Sequence, residues 1–303
     1  MPVRFTSLRF KRQTEDPFAD GIPEPKPVPT PEELAAKRRR AIRGRLWFYG
    51  TTFGILYLAL WYQPYEVDWI PRKIPNPNPL IDPDSKHLFE RGTRVLIVTA
   101  HPDDSEFFIG GLLSKLSKTK AELHQVICTD GDKGYYYFFT DAAKNRVVRK
   151  REALDAARAW HAKTIEFLGY PDRFLHPNPD VVYQIQAVIE RYRPEYILTF
   201  DGELPSRVSH QDHRRAGDAA RIAAQKAHVP CWLMLFQTCA PNYVVDISDL
   251  WEDQKKLLQI HKSQFFGSHL AGVENMIEAS AEKDGARIGV ELGEGLRCEK
   301  ISP

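Results

Sequence analysis

Two short polar clusters in this chain carry the residue types of hydrolytic chemistry. One reads Ala100-His101-Pro102-Asp103-Asp104-Ser105-Glu106 and the other Ser209-His210-Gln211-Asp212-His213. Two imidazoles and one carboxylate, with a fourth position left to water, are the ligand set of catalytic zinc sites. A divalent ion lowers the pKa of its bound water towards about 7 and polarises a carbonyl, which hydrolysis of a stable amide requires. A second carboxylate off the metal can take the water's proton, and an off-metal imidazole can stabilise an oxyanion or protonate a leaving amine. Each cluster alone also has a plain structural reading. Asp103 with Glu106 three residues on resembles a capping box, and Ser209 or Asp212 could cap a second helix. Capping, however, gives no reason for three histidines beside the caps.

The surrounding pattern says what would bring the clusters together. Short apolar runs at Val95–Ala100, Leu123–Thr129, Thr164–Leu168, Tyr196–Phe200 and Trp232–Thr238 read as strands. Between them, helical periodicity marks Phe107–Lys118, Arg146–Trp160, Val181–Tyr192 and His213–Ala227. Alternating strands and helices predict an α/β, Rossmann-like, mostly parallel sheet with helices on both faces. Ligands of such sheets sit beyond the carboxyl ends of the strands. Both clusters follow a strand and open a helix, so both are expected at that edge. The zinc reading requires that imidazoles of the two clusters come close enough to share one ion, since zinc–nitrogen bonds are roughly 2 Å long.

The chain has a net charge of +2, with 43% hydrophobic and 27% charged residues. Its mean hydropathy is −0.43. These values describe ordinary globular material and not a polytopic membrane protein. The charge is uneven. Residues 1–45 hold 11 Lys and Arg against 6 Asp and Glu, so the remaining residues are net acidic. That distribution places the positive charge on a tail and argues against nucleic acid as a partner. Four cysteines and no CxxC pair exclude a disulfide scaffold and a cysteine zinc site; a single Cys231–Cys239 bridge is compatible with the sequence. No GxGxxG follows the first strand and no GxSxG is present, against a nucleotide-binding oxidoreductase and a serine hydrolase.

The chain divides into a basic, Pro-rich tail (1–45), an anchor (46–63), a Pro-rich spacer (64–90) and a catalytic domain (91–303). The uncharged run Leu46–Tyr62, LWFYGTTFGILYLALWY, has aromatic residues at both ends and is read as a single transmembrane helix, a buried core helix being the alternative. Six Lys and Arg lie in the nine residues before it, which puts the N-terminus in the cytoplasm and the catalytic domain outside it.

The motifs AHPDD-x-E, Thr129-Asp130-Gly131-Asp132-Lys133-Gly134, Arg149-x-x-Glu152, Phe167-Leu168-Gly169 and His210-x-Asp212-His213, in that order, resemble the LmbE-like (PIG-L) N-deacetylase family, with a weaker match at His261-Lys262-Ser263-Gln264. The resemblance implies one zinc ion per chain held by His101, Asp104 and His213, and Asp103 as general base. It further implies that His210 stabilises the oxyanion or donates a proton, and that Asp212 orients His210. The implied substrate is an N-acetylglucosamine-type sugar, free, lipid-linked or in a glycan. A non-catalytic, membrane-tethered carbohydrate-binding protein that keeps the metal site is the alternative.

Arg149 matches a family arginine that can reach substrate, although an arginine early on a helix is more often a surface group. Glu106 and Asp130 are candidates to support the ligands from behind. His261 suits a structural hydrogen bond as well as a place at the pocket rim. His124, His161, His176, His228 and His269 have no partner pattern. Tyr135–Phe139 reads either as an aromatic surface for sugar or lipid or as a buried strand.

Overall fold

The structure, a computed structural model, describes Glu32 and residues 65–67, 79–134, 141–176 and 178–302. Apart from Glu32 these all lie in one compact unit, Gln63–Pro303. The anchor read at Leu46–Tyr62 and the aromatic run Tyr135–Phe139 lie outside the described residues. Among the described residues no helix is long and apolar enough to cross a membrane.

The strands are β1 (Tyr65–Val67), β2 (Arg94–Thr99), β3 (Glu122–Thr129), β4 (Thr164–Tyr170), β5 (Tyr196–Phe200), β6 (Val208–His210), β7 (Cys231–Phe236), β8 (Tyr243–Asp246) and β9 (Gly293–Ile301). The helices are α1 (Ser85–Leu88), α2 (Asp104–Thr119), α3 (Ala142–Ala159), α4 (Pro179–Tyr192), α5 (Gln211–Ala227), α6 (Trp251–Leu258) and α7 (Gly267–Gly285). Seven strands form one sheet in the order β4-β3-β2-β5-β7-β9-β8. Its first five strands run parallel, while β9 is antiparallel to both β7 and β8.

β2 reads RVLIVT, and five of its six residues are buried. Burial without alternation means that both faces of the sheet are covered. α2 packs with α6, and α4 packs with α5. The chain leaves β2 towards β3 and β4 on one side, and returns on the other side through β5 and β7. The direction therefore reverses between β2 and β5, and a crevice opens at the carboxyl ends of those two strands.

The five expected strands and four expected helices are all present, with ends shifted by a few residues. α2 begins at Asp104, so the HPDD cluster merges into the helix, and α3 begins at Ala142, where the Asp141 carboxylate caps Ala143 N. The antiparallel margin has a weak sequence signal, because β9 reads GEGLRCEKI and interior glycines dilute a strand pattern. Part of the expected spacer belongs to the domain: β1 pairs antiparallel with β6, Tyr65 opposite His210, and Leu88 is fully buried in the core. His228 and His161, read as ordinary, sit in left-handed turns that follow α5 and α3. All four cysteines are free. Cys231 opens β7 and Cys239 lies beyond its far end. An extended strand rises about 3.3 Å per residue, which keeps the two too far apart for a disulfide.

Candidate metal-dependent active site

β2 and β5 deliver the two clusters to the same crevice. His101, two residues beyond Thr99, and His213, in the first turn of α5, are both buried. His101 Nδ1 lies 3.2 Å from His213 Nε2, Asp104 Oδ1 lies 3.5 Å from His101 Nδ1, and Asp104 Oδ1 lies 3.1 Å from His213 Nε2. Ligand atoms of a tetrahedral ion at roughly 2.0–2.1 Å stand about 3.3 Å apart, so these three atoms match one face of such a site. The other Asp104 oxygen accepts from Ala100 N at 3.0 Å and His101 N at 2.6 Å, which leaves Oδ1 to face the imidazoles.

The histidine rings are held from outside as well. His101 Nε2 lies 3.1 Å from Asp172 Oδ1, and His213 Nδ1 lies 3.0 Å from Gln237 Oε1. A proton on each of these outer nitrogens leaves His101 Nδ1 and His213 Nε2 with free lone pairs, the arrangement that metal-ligating histidines adopt. His101 also belongs to two groups whose potential ligand atoms lie within 4.8 Å of one another, one with His210 and His213 and one with Asp172, His210 and Asp212. The Asp172 and Asp212 carboxylates face His101 at Nε2, where a proton shared with Asp172 already satisfies both residues, so the Nδ1 edge is the better place for an ion.

The imidazoles and carboxylates are also coupled electrostatically. Burial works against the His101 imidazolium, yet the Asp172 and Asp104 carboxylates outweigh it and hold the His101 pKa well above the usual imidazole value. Burial likewise opposes ionisation of Asp104, but His213 and His101 pull its pKa well below the carboxylate range. Asp172 is lowered despite its burial, first by His101. His210 moves the opposite way: burial, then His101 and His213, push its pKa far down, so its ring is neutral.

The capping readings do not hold. Asp103 occupies the N-cap position of α2 but makes no side-chain cap hydrogen bond. Its Oδ1 instead accepts from Arg149 Nη2 at 2.7 Å, while Arg149 Nη1 donates to Gly131 O at 2.7 Å. Arg149 is 4% exposed, so it is no surface group. Glu106 accepts from Trp160 Nε1 at 2.7 Å and Ser105 Oγ at 3.0 Å, and pairs with His261 Nε2 at 3.1 Å, which places His261 in the core behind the crevice. Asp130 pairs with Arg146. The residue that caps α5 is His210, whose Nδ1 accepts from Asp212 N at 3.0 Å. Asp212, expected to orient His210, meets its ring through the main-chain N–H, while the Asp212 carboxylate accepts from Arg173 N at 2.6 Å and Leu175 N at 3.2 Å, and its Oδ2 lies 3.5 Å from His101 Nε2.

The six site residues from the two motifs thus gather in one crevice. Two further residues, Asp172 and Gln237, belong to neither motif. Asp172 lies just past β4, at the same sheet edge as the other clusters, and that position is a usable signal. Gln237 follows β7 and has no motif around it.

Comparisons with known proteins find deacetylases among those to which this chain is similar. The family model described as "PIG-L: GlcNAc-PI de-N-acetylase" matches residues 96–224. The diacetylchitobiose deacetylase of Thermococcus kodakarensis is 29% identical over 188 residues, covering 57% of this chain and 70% of that protein. A probable N-acetyl-alpha-D-glucosaminyl L-malate deacetylase 2 of Bacillus subtilis is 25% identical over 197 residues, covering 62% of this chain and 87% of that protein. Among solved structures, the N,N'-diacetylchitobiose deacetylase of Pyrococcus horikoshii with its inhibitor MPG superposes with a TM-score of 0.65 at 30% identity, covering 68% of this chain and 83% of that one.

Proposed function

Because the chain belongs to the PIG-L (LmbE-like) family, whose relatives named above are deacetylases, we propose that it is a membrane-anchored, zinc-dependent hydrolase that removes the acetyl group from an N-acetylglucosamine-type sugar. The observation that carries this reading is the set of mutual distances among His101 Nδ1, Asp104 Oδ1 and His213 Nε2, 3.1–3.5 Å. These three residues would hold one zinc ion per chain. When bound, zinc lowers the pKa of a water and polarises the acetamide carbonyl.

The chain's own residues divide the remaining work. Asp103 precedes the ligand Asp104 in sequence and accepts from Arg149 through one oxygen, which supports it as the carboxylate that takes a proton from the attacking water. His210 accepts the Asp212 N–H at Nδ1, so the neutral ring carries its proton on Nε2 and presents a donor to the developing oxyanion. Asp212 ties the Arg173–Leu175 main chain and the His101 edge to the start of α5, which holds the two halves of the crevice in register. The Asp103–Arg149 pair argues for catalysis over simple glycan retention, because holding a metal needs neither residue.

Leu46–Tyr62 supports anchorage with the N-terminus in the cytoplasm and the catalytic domain outside it; resistance of the full chain to carbonate extraction, and protease protection of either side, test this. The activity test is acetate release from free, lipid-linked and polymeric N-acetyl sugars by zinc-loaded and chelator-stripped protein. Release only by the loaded form is expected. Stoichiometric zinc with glycan binding and no acetate from any substrate would replace the enzyme with the binding protein.

A further inference from the structure

We infer that Gln237 is a positioning residue that fixes the ring edge and the tautomer with which His213 faces the metal. This inference rests on the metal site proposed above. The His213 ring lies against Phe200, stacked at 4.0 Å between centroids, and meets the Phe108 ring edge-on at 5.4 Å. Those contacts fix the plane of the imidazole. They do not fix its orientation within the plane, because a half-turn about the Cβ–Cγ bond exchanges the two ring edges while the aromatic faces stay covered. Choosing an edge takes a polar partner, and Gln237 Oε1, 3.0 Å from Nδ1, is that partner. An amide oxygen only accepts, so Nδ1 carries the ring proton and Nε2 keeps its lone pair. That nitrogen stands 3.1 Å from Asp104 Oδ1 and 3.2 Å from His101 Nδ1.

The backbone allows the part played by the amide to be isolated. Gln237 has a φ of 53°. This is a left-handed conformation that a glycine adopts without cost and that a long side chain rarely does. A glycine can therefore replace Gln237 without backbone strain. Its main chain does something separate, since Gln237 O accepts from Ser206 N at 2.7 Å and so fastens the loop that leads into β6 and the HxDH cluster. Glycine at 237 would keep that main-chain bond and the φ value and remove only the amide. The two roles of the residue are therefore separable by substitution.

The test measures Zn2+ affinity of the full-length chain by competition with a chromophoric chelator, together with the melting temperature of the metal-free protein. Gln237→Gly and Gln237→Met, which has similar length and no oxygen, are each expected to bind Zn2+ about 10- to 100-fold more weakly, the usual loss for an outer partner of a ligating histidine. The metal-free melting temperature of Gln237→Gly should stay at the parent value. Gln237→Glu, which can only accept, should bind within about threefold of the parent or more tightly. Parent-like affinity in both the Gly and Met variants refutes the inference, as does a Glu variant that is as weak as the Met variant. Failure of the parent chain itself to take up one Zn2+ would instead sink the metal site, an outcome distinct from the others.

Discussion

Gly217 gives the sharpest test of how the fold holds the site. It lies one helical turn after His213 on α5, so both project from one face of the helix. That face rests on the end of β5: a Cβ added at Gly217 would stand in hard contact with the Phe200 carbonyl oxygen and 2.9 Å from its carbonyl carbon. Carbon atoms sit best about 3.5–4.0 Å apart, so Gly217→Ala must push α5 away from β5 by roughly 1 Å. Overpacking against main chain costs about 3 kcal/mol, and the better helix propensity of alanine returns about 1 kcal/mol. A net loss of about 2 kcal/mol is therefore expected. The same movement carries His213 away from His101 and Asp104, and a displacement of about 1 Å at a reacting centre can lower turnover about 100-fold. Gly272→Ala is the control. It is exposed in α7 and its added Cβ would meet nothing within 4 Å. Only the propensity gain of about 1 kcal/mol applies there. Denaturant unfolding of both variants, with acetate release alongside, reads the result. If Gly217→Ala were as stable and as active as the parent, the claim that close contact between α5 and β5 sets the site would be wrong.

Asp103→Asn should bind Zn2+ stoichiometrically, because Asp103 lies outside the ligand set, and should lose about 100- to 10,000-fold in turnover; retention of full activity would remove it as the base. Stripping the metal should lower thermal stability, and Zn2+ at a hundred times its Kd should restore about 2.7 kcal/mol; a melting temperature indifferent to Zn2+ would argue against a folded-state site. The stability of the parent should also carry a pH signature from Glu294. This carboxyl is buried, and burial raises its pKa to about 8 from 4.5 even though Gly111 and Leu112 N–H groups donate to it. Between these values the unfolded chain releases a proton that the folded chain retains, so the contribution is full below about pH 4.5 and is lost as pH rises towards 8. Glu294→Gln should remove this slope, at most roughly 1 kcal/mol per pH unit, and a parent-minus-variant difference that stays flat from about pH 5 to about pH 8 would contradict it.

The sequence by itself determined that β2 to β5 and the helices between them form and that both clusters follow strands, because those elements are written locally. A buried parallel strand is a continuous apolar run and a helix repeats at its own period, so HPDD and HxDH could be placed at strand ends without knowing any distant contact. What only the tertiary structure decided involves partners that have no local pattern. Asp103 lies 46 residues from Arg149, His101 lies 71 residues from Asp172, and Gly111 N lies 183 residues from Glu294, which fastens α2 where Ile109 departs from helical geometry. Hydrogen bonds of this kind depend on where folded segments cross. The same crossing gave His213 an amide neighbour that no motif announces. Residue types that can bind a metal are visible in a string of letters; the ring edges that face it are set by packing.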